Sequence, residues 1–345
     1  MAEKITELDK TFAPMEAKLV DALPTGDGWQ FEPKWDGFRC LAFRDGKDVD
    51  LISKSGKSLS RYFPEIVALL LKLKTSRFVL DGELIISAGD VVRFDALQAR
   101  LHPAESRILK LSAETPAEFM IFDALQLDDE ILAGRPLQER RTALEKFLRK
   151  SDIAGLELSP ATTDPKRAAT WLSESGGALD GVIAKRLDEP YQSGKRAMLK
   201  VKQHRTADCV IGGFRYDQTG KAIGSLLLGL FDDADRLNHV GFAASIKAED
   251  RPALMKKILS VAGGEGFSGK APGEPSRWST DKSADWRPLR PELVVEVLYD
   301  QVTADRFRHG TRILRWRPDK APHQCRMDQL QHELRPAELF GILHS

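Results

Sequence analysis

Lys34 is the side chain in this sequence with the clearest potential for chemistry. It lies in the segment Glu32–Arg39, EPKWDGFR, which has apolar residues before and after it. Alternating apolar positions predict a strand on each side, and Asp36-Gly37 predicts a hairpin turn between the two strands. A lysine held at such a turn, with other cations nearby, can lose its proton and act as a nucleophile. Because K-x-D-G also recurs by chance, the competing interpretation is a surface hairpin with a solvated lysine.

Two carboxylates and two lysines occur within otherwise apolar strand-like segments. Asp81 and Glu83 interrupt the apolar segment 77–86, and Lys200 and Lys202 alternate with apolar residues. Side chains two residues apart on a strand point to the same face. Since buried charges need partners, we expect the carboxylates to be paired and the lysines to face a cleft or an anion.

Hydrophobic periodicity predicts an α+β domain followed by a β-rich domain. The helices predicted in the first part cover residues 64–74, 94–101, 136–148 and 165–175. The later part has short β-rich segments and one predicted helix at 248–261. About five strands around one helix are typical of a small Greek-key barrel of the OB type, a common oligonucleotide-binding fold. We therefore predict domains at 1–204 and 205–345.

Length and composition bound the class of protein. The chain has 345 residues, 42% hydrophobic and 30% charged, which is the balance of a globular protein with about two domains. The sequence shows neither a signal peptide nor an apolar stretch of about 18 residues, so we expect no membrane association. Cys40, Cys209 and Cys325 form no C-x-x-C pair. Their spacing argues against disulfides or a zinc site and favours the cytoplasm.

Seven segments resemble, in the same order, the motifs of the covalent nucleotidyltransferase superfamily, which comprises DNA ligases, RNA ligases and mRNA-capping enzymes. The matching segments are Lys34–Arg39 (motif I), Ser53–Gly56 (Ia), Leu80–Leu84 (III), Phe119–Asp123 (IIIa), Asp180–Lys185 (IV), Leu199–Lys202 (V) and Arg315–Lys320 (VI). One such match is weak, but seven in order are not expected by chance. Within the superfamily, Val201–Arg205 and Trp316–Lys320 are typical of bacterial ATP-dependent DNA ligases of the LigC and LigD-ligase-domain group.

The resemblance implies a nucleotidyltransferase domain, with ATP-grasp-like antiparallel sheets and helices, followed by a C-terminal OB-fold β-barrel. It implies ATP as the cofactor, with Lys34 attacking the α-phosphate and retaining AMP on its side-chain nitrogen. Lys200 and Lys202, with Mg²⁺ or Mn²⁺, would favour the neutral amine and balance charge on the phosphate. Asp36 of motif I is implied as a further catalytic residue.

The resemblance also implies a set of nucleotide-binding residues. Glu83 would bind the ribose hydroxyl, and Phe122 would stack on adenine, although an aromatic residue in a buried strand is commonly a core residue. Asp180, at a position that is often glutamate in the family, would bind the metal together with Glu83. Lys54 stands where the family commonly has arginine, so it keeps the charge without bidentate geometry. The remaining residues implied at the nucleotide are Glu32, Lys34, Arg39, Lys185, Lys200 and Lys202.

Motif VI lies in the second predicted domain. By the resemblance, Arg317, Asp319 and Lys320 would orient the leaving pyrophosphate when this domain closes over the first. DNA contacts are expected mainly to the sugar–phosphate backbone, independent of base sequence. The basic residues expected to make them lie between Lys185 and Arg205 and at Arg306, Arg308, Arg312 and Arg315.

The implied function is that of an ATP-dependent DNA ligase, a monomer that seals 5′-phosphate/3′-hydroxyl nicks in double-stranded DNA and serves DNA repair. A repair polymerase or Ku-type end-binding proteins are the partners that family analogy implies. One alternative is an RNA ligase or a capping guanylyltransferase, since both also use K-x-D-G. A second alternative is a catalytically inactive OB-type nucleic-acid-binding protein.

Overall fold

The computed structural model describes residues 8–88, 91–92, 94–151, 153–175, 179–202, 205–273, 285–300, 302–303, 305–330, 339 and 341–343. The chain divides into two compact units, one formed by Met1–Gln203 with Glu333–Ser345 and the other by His204–His332. The first unit mixes helices and strands and the second is rich in strands, which confirms the predicted α+β class. The predicted boundary adjoins residues 203 and 204, which lie outside the described residues.

The first unit contains strands β1–β12 and helices α1–α5. Their bounds are β1 Ala17–Val20, β2 Trp29–Lys34, β3 Phe38–Asp45, β4 Asp48–Ser53, α1 Pro64–Lys72, β5 Arg77–Ile85, β6 Ser87–Ala88, β7 Val91–Val92, α2 Phe94–Arg100, α3 Glu105–Glu114, β8 Glu118–Leu127, β9 Glu130–Ile131, α4 Leu137–Arg149, β10 Leu156–Leu158, α5 Pro165–Glu174, β11 Gly181–Arg186 and β12 Met198–Val201. The sequence analysis did not predict helix α3 or strands β1, β6, β7, β9 and β10, whereas the other four helices of this unit lie close to their predicted positions.

Two sheets organise this unit. One has the strand order β1-β12-β11-β2, and the other has the order β10-β8-β5-β3-β4 with β9 added beside β8. The β1–β12 and β10–β8 pairs are parallel, and the remaining pairs of these two sheets are antiparallel. Strands β6 and β7 form a separate two-stranded ribbon. Lys34 of motif I therefore meets motifs IV and V in the first sheet, while Arg39 at the end of motif I lies in the second sheet with motifs III and IIIa.

The segment around Lys34 is not the hairpin that the sequence predicts. Strands β2 and β3 both form, but β2 pairs with β11 in the first sheet and β3 pairs with β4 and β5 in the second. The Asp36-Gly37 turn therefore carries the chain from one sheet to the other. At Gly37 an added Cβ atom would lie 2.2 Å from the carbonyl oxygen of Leu84, so this close approach of two backbones requires glycine.

Helices cover the second sheet and the outside of the first in the way their sequences predict. Helix α5 begins with Pro165 after Asp164, whose Oδ1 accepts a hydrogen bond from the Lys166 backbone nitrogen at 2.8 Å. Its apolar side buries Trp171, which packs with Phe31 of β2. The outer face of β2 is thus held by an apolar core, which leaves its other face available for polar side chains.

The second unit contains strands β13–β20 and helix α6. Their bounds are β13 Arg205–Tyr216, β14 Ile223–Phe231, β15 Leu237–Ala243, α6 Arg251–Leu259, β16 Arg287–Pro288, β17 Val294–Tyr299, β18 Val302–Thr303, β19 Arg306–Phe307 and β20 Arg312–Trp316. The main sheet has the antiparallel order β15-β14-β13-β17-β20, with β16 beside β13. A bridge between Ala243 and Thr311 joins the ends of its two edge strands. The β-rich character is as predicted, and closure into an OB barrel stays a prediction.

The C-terminal residues pack on the first unit. Leu339 and Leu343 are buried in the same core as Trp171, and Arg167 Nη2 donates a hydrogen bond to the carbonyl oxygen of Leu343 at 2.7 Å. The sequence analysis placed all of 205–345 in the second domain, so the structure assigns this end of the chain differently. In the described part of the chain, no helix is long and apolar enough to cross a membrane.

Candidate active site

A cavity of about 1040 Å³ lies in the first unit and is lined by residues of both sheets. Of the nine residues predicted at the nucleotide, all except Lys202 line it: Glu32, Lys34, Arg39, Lys54, Glu83, Phe122, Lys185 and Lys200. Its wall also includes residues 14–19, which precede and form β1 and were not predicted to take part. The structure thus brings together residues that are spread over most of the first unit.

Asp180 binds two of the predicted lysines. Lys34 lies opposite Gly181 in the β2–β11 register, and the Asp180 backbone nitrogen donates to the Lys34 carbonyl oxygen at 2.8 Å. The Lys34 ammonium forms an ion pair with Asp180 Oδ2, and Lys202 Nζ lies 2.9 Å from Oδ1. Burial opposes ionisation of Asp180, but the charges of Lys34 and Lys202 outweigh it and hold the pKa of this carboxyl below its usual value.

Gly181 makes this arrangement possible. Its φ is +137°, a conformation that residues with a Cβ atom rarely adopt. An added Cβ atom would lie 2.0 Å from the carbonyl oxygen of Val201 in β12. The close approach of β11 and β12 at this point sets the position of Asp180 beside Lys202.

Glu83 is the second carboxylate of the cavity. It lies opposite Arg39 in the β3–β5 register. Burial raises the pKa of Glu83 to about 7, against the opposing effects of the positive charges on Arg39 and Lys34. A carboxyl group with this pKa exchanges its proton near neutral pH, so it can act as donor or acceptor toward a hydroxyl group.

Asp81 has the partners that the sequence analysis required of a buried carboxylate. Arg39 donates to its two oxygens from Nε at 2.6 Å and from Nη2 at 2.7 Å. The Tyr191 hydroxyl donates to Oδ2 at 2.7 Å and accepts a hydrogen bond from the Met15 backbone nitrogen at 2.8 Å. Bidentate contact with a fully buried carboxylate fixes the guanidinium of Arg39 in the cavity wall.

Phe122 is directed into the cavity by an irregularity in the sheet. Asp81 pairs with Asp123 and Gly82 with Ile121, so Phe122 is the extra residue of a β-bulge in β8. Arg39 Cζ and Lys185 Nζ each lie 4.4 Å from the centroid of its ring. Phe122 is therefore a cavity residue with cation–π contacts, and its stacking on adenine stays a prediction.

Lys185 and Arg205 were predicted to belong to an exposed DNA-binding strip, but both are buried. Lys185 is buried and its Nζ lies 2.7 Å from Glu32 Oε2, while Gln30 Nε2 donates to the other oxygen of Glu32 at 2.7 Å. Arg205 is also buried and donates from Nη1 to the Asp300 carbonyl oxygen at 2.9 Å. Buried side chains cannot form an exposed backbone-binding strip, so these two residues do not belong to one. Arg312 and Arg315 are exposed, as that expectation requires.

Two further predicted cations differ in their surroundings. Burial, together with the positive charges of Lys34 and Lys202, lowers the pKa of Lys200. Lys54 is more exposed, and its Nζ lies 3.1 Å from Glu16 Oε2 at the rim of the cavity. Lys200 therefore lies close to two like charges, which disfavour its protonated form, and its interaction with a phosphate stays a prediction.

The predicted motif VI residues lie together in the second unit. Arg317 contacts Asp319 from Nη2 at 2.9 Å, and side-chain hydrogen bonds from Arg317 lower the pKa of Asp319 to about 2. Arg317 and Lys320 also bind Asp208 of β13, at 2.9 Å and 2.8 Å. The sequence analysis missed Asp208, although a lone acid in an apolar strand was a signal that it needs partners.

Comparison with known proteins decides the family. The family profile described as ATP dependent DNA ligase domain matches residues 2–202, and the one described as ATP dependent DNA ligase C terminal region matches residues 219–320. The chain belongs to the ATP-dependent DNA ligase family. This ligase is 45% identical over 341 residues to DNA ligase C1 of Mycolicibacterium smegmatis, with 96% of each chain covered. It is 43% identical over 339 residues to DNA ligase C of Mycobacterium tuberculosis, covering 93% of this chain and 94% of the relative.

Two more distant similarities complete the comparison of this ligase. The protein named multifunctional non-homologous end joining DNA repair protein LigD of Mycobacterium tuberculosis is 32% identical over 335 residues, which cover 93% of this chain and 40% of the relative. A solved chain named Pmar-Lig_Pre shares the fold, with a TM-score of 0.57 at 19% identity, over 88% of this chain and 68% of that chain. The prediction of an ATP-dependent DNA ligase related to LigC and LigD is confirmed at the level of the family.

Tyr191 and Met15 are cavity-supporting residues that the sequence analysis of this ligase did not identify. Neither belongs to one of the seven motif segments, and each acts through a contact with a residue far away in the sequence. A tyrosine in a polar loop carries no periodic signal of its own. Its link to Asp81 follows from tertiary structure alone.

Proposed function

We propose that this ligase seals nicks with a 5′-phosphate and a 3′-hydroxyl in double-stranded DNA through AMP bound covalently to Lys34. The observation that supports this most directly is the position of Lys34 in the wall of the cavity, beside two carboxylates and two lysines. The cavity volume of about 1040 Å³ is slightly above the range usual for small-molecule sites, which leaves room for a nucleoside triphosphate.

The first step is the transfer of AMP to Lys34. Its neutral amine attacks the α-phosphorus, the nitrogen–phosphorus bond forms, and the bond to the bridging oxygen breaks as pyrophosphate leaves with the electron pair. An ammonium group has no lone pair, so Lys34 must leave its ion pair with Asp180 and lose a proton before it attacks. Lys200 and Lys202 then balance the negative charge that the phosphate brings into the cavity.

The nucleotide would be held by side chains from both sheets. Glu83 would form a hydrogen bond with the ribose hydroxyl, and Phe122 would stack on adenine. Arg39 and Lys185 contact the Phe122 ring, and Glu32 lines the same cavity. Since Arg39 is fixed by Asp81, its guanidinium is preorganised for a phosphate or a ribose. Lys54 lies at the rim of the same cavity and would meet a phosphate there.

The residues present fit a divalent cation that is shared with the nucleotide. Mg²⁺ usually takes one or two protein carboxylates and completes its shell with water and phosphate oxygens. Asp180 and Glu83 supply two carboxylates beside Lys34, and the described residues form no group of three or more metal-ligating side chains. When bound there, Mg²⁺ or Mn²⁺ would neutralise charge on the phosphates.

The second and third steps join the DNA ends. AMP passes from Lys34 to the 5′-phosphate of the nick, and the 3′-hydroxyl then attacks that phosphate and displaces AMP. Arg317, Asp319 and Lys320 would act earlier, by orienting the pyrophosphate that leaves in the first step. Asp36, two residues after Lys34 in the sequence, is proposed as a further catalytic residue.

A repair role and repair partners are proposed from the relatives. LigD of Mycobacterium tuberculosis is named a multifunctional non-homologous end joining DNA repair protein, and this chain corresponds to 40% of it. A polymerase or a Ku-type end-binding protein is therefore the kind of partner to test, for example by whether either raises the sealing rate at DNA ends.

The substrate is tested with nicked duplexes and labelled nucleotides. We expect a covalent adduct with ATP but not with GTP, and sealing of a nicked DNA duplex in the presence of Mg²⁺. A nick without the 5′-phosphate is the matched control and should stay open. An adduct with GTP alone, or sealing of nicked RNA but not nicked DNA, would contradict the proposed function.

A further inference from the structure

Asp208, Arg317, Asp319 and Lys320 form a cluster of charged side chains in the second unit, and Asp208 lies at its centre. It is buried in β13, between Ala207 and Cys209, which are also buried. Arg317 Nη1 donates to both of its oxygens at 2.9 Å, and Lys320 Nζ donates to Oδ2 at 2.8 Å. One carboxylate therefore binds two of the three residues proposed to orient pyrophosphate.

The backbone around Asp208 is fixed from two sides. Its N–H donates to Gln329 Oε1 at 3.0 Å, and it lies opposite Glu296 in the β13–β17 register. Arg317 directly follows β20, and its backbone nitrogen donates to the carbonyl oxygen of Val294 in β17 at 2.9 Å. Arg317 thus reaches over the intervening strand β17 to a carboxylate whose own position is set by the sheet.

The two carboxylates on Arg317 are not equivalent. The Asp208 side chain is 11% exposed, whereas that of Asp319 is 63% exposed. A contact with an exposed carboxylate exchanges easily with water or with another anion, while a buried ion pair is costly to break. Asp208 is therefore the anchor of Arg317, and the edge that faces Asp319 is the one open to exchange.

We infer that Asp208 is a positioning residue for the lysine-adenylation step, holding Arg317 and Lys320 in the geometry that receives the pyrophosphate portion of ATP. This inference rests on the proposed roles of Arg317 and Lys320. Long cationic side chains lose considerable conformational freedom when they bind a ligand. A buried carboxylate that has already ordered both of them removes part of that cost before ATP arrives. Asp208 does not itself touch the nucleotide.

The test compares Asp208→Asn with wild type in three reactions. These are single-turnover adenylation by ATP, release of ATP from the adenylated ligase by pyrophosphate, and sealing of a 5′-phosphate nick by ligase adenylated in advance. We expect roughly a tenfold or larger fall in the first two, because they share one transition state, and less than a twofold change in the third. The matched control is Glu292→Gln, because Glu292 is an exposed carboxylate of the second unit that pairs with Arg290 Nε at 2.7 Å. It should behave like wild type.

A double-mutant cycle covers the case in which Asp208→Asn folds poorly. In an Arg317→Gln background, Asp208→Asn removes the second charge of the buried pair, and it should slow adenylation much less than in wild type. Equal slowing in both backgrounds, equal losses in all three reactions, or wild-type rates in both adenylation directions would each overturn the inference. Absence of any adduct in wild type would instead contradict the proposed function.

Discussion

Lys34 and Asp180 form an ion pair between neighbouring strands although 146 residues separate them in the sequence. The same carboxylate binds Lys202, so a residue of motif IV connects the lysines of motifs I and V. If Lys34 is the nucleophile as proposed, this ion pair holds its side chain in place and also keeps its amine protonated and unreactive. An arriving phosphate would compete with Asp180 for the two lysines, and this competition would release Lys34 from its ion pair beside the bound nucleotide.

Replacing Asp180 by asparagine should slow adenylation of Lys34 by roughly tenfold or more, because two neighbouring ammonium groups lose their shared anchor. The rate is measured in single turnover with labelled ATP. Asp188→Asn is the matched control, since Asp188 is exposed and pairs with Arg186 outside the cavity. Equal adenylation rates for Asp180→Asn and wild type would show that the ion pair does not position Lys34.

Glu83 should make the stability of the ligase depend on pH. The pKa of Glu83 is raised from 4.5 to about 7 by burial, so folding disfavours its ionised form. Below pH 4.5 this residue is mostly protonated in both the folded and the unfolded chain. Between pH 4.5 and about 7 only the unfolded chain loses the proton, so the free energy of unfolding falls as the pH rises. Relative to Glu83→Gln, wild type should lose roughly 3 kcal/mol between pH 4.5 and 8, measured by urea unfolding. A difference that stays constant with pH would show that Glu83 has an ordinary pKa.

Gly181→Ala should strongly destabilise the first unit. The added methyl group meets the Val201 carbonyl oxygen at 2.0 Å, and the backbone has a φ of +137°. We expect a loss of roughly 3 kcal/mol or more in the free energy of unfolding. Gly134→Ala is the matched control because an added Cβ atom there meets nothing within 4 Å. Similar unfolding curves for both variants would mean that β11 and β12 are further apart than described.

The sequence was most informative where chemistry and local pattern coincide. Glu83 and Lys200 were identifiable because charged residues within apolar strands need partners, and Lys34 because it adjoins the Asp36-Gly37 turn and matches motif I. All three line the cavity. Helices α1 and α5 were predictable from apolar spacing and from their first residues, Pro64 and Pro165.

The features that the sequence did not predict depend on contacts between segments that are distant in the chain. Asp36-Gly37 has the composition of a hairpin turn, but only the partners of β2 and β3 decide that it connects two sheets. Tyr191 supports the cavity through its contact with Asp81, which is distant in the sequence. The proposed role of Asp208 depends on its contacts with Arg317 and Lys320, which follow β20, and β20 is separated from β13 by β17 in the sheet. Burial of Lys185 and Arg205 depends on packing in the same way, which is why a run of basic residues looked like an exposed strip.

The covalent attachment of AMP to Lys34 is tested most directly by mass spectrometry of the ligase after incubation with ATP and Mg²⁺. Lys34→Arg is the comparison, because arginine keeps the positive charge that pairs with Asp180 but does not serve as a nucleophile. We predict one AMP on the wild-type peptide that contains Lys34 and none on Lys34→Arg, with similar thermal unfolding of the two proteins. AMP on Lys34→Arg, or on Lys200 in the wild type, would contradict the assignment of Lys34 as the nucleophile.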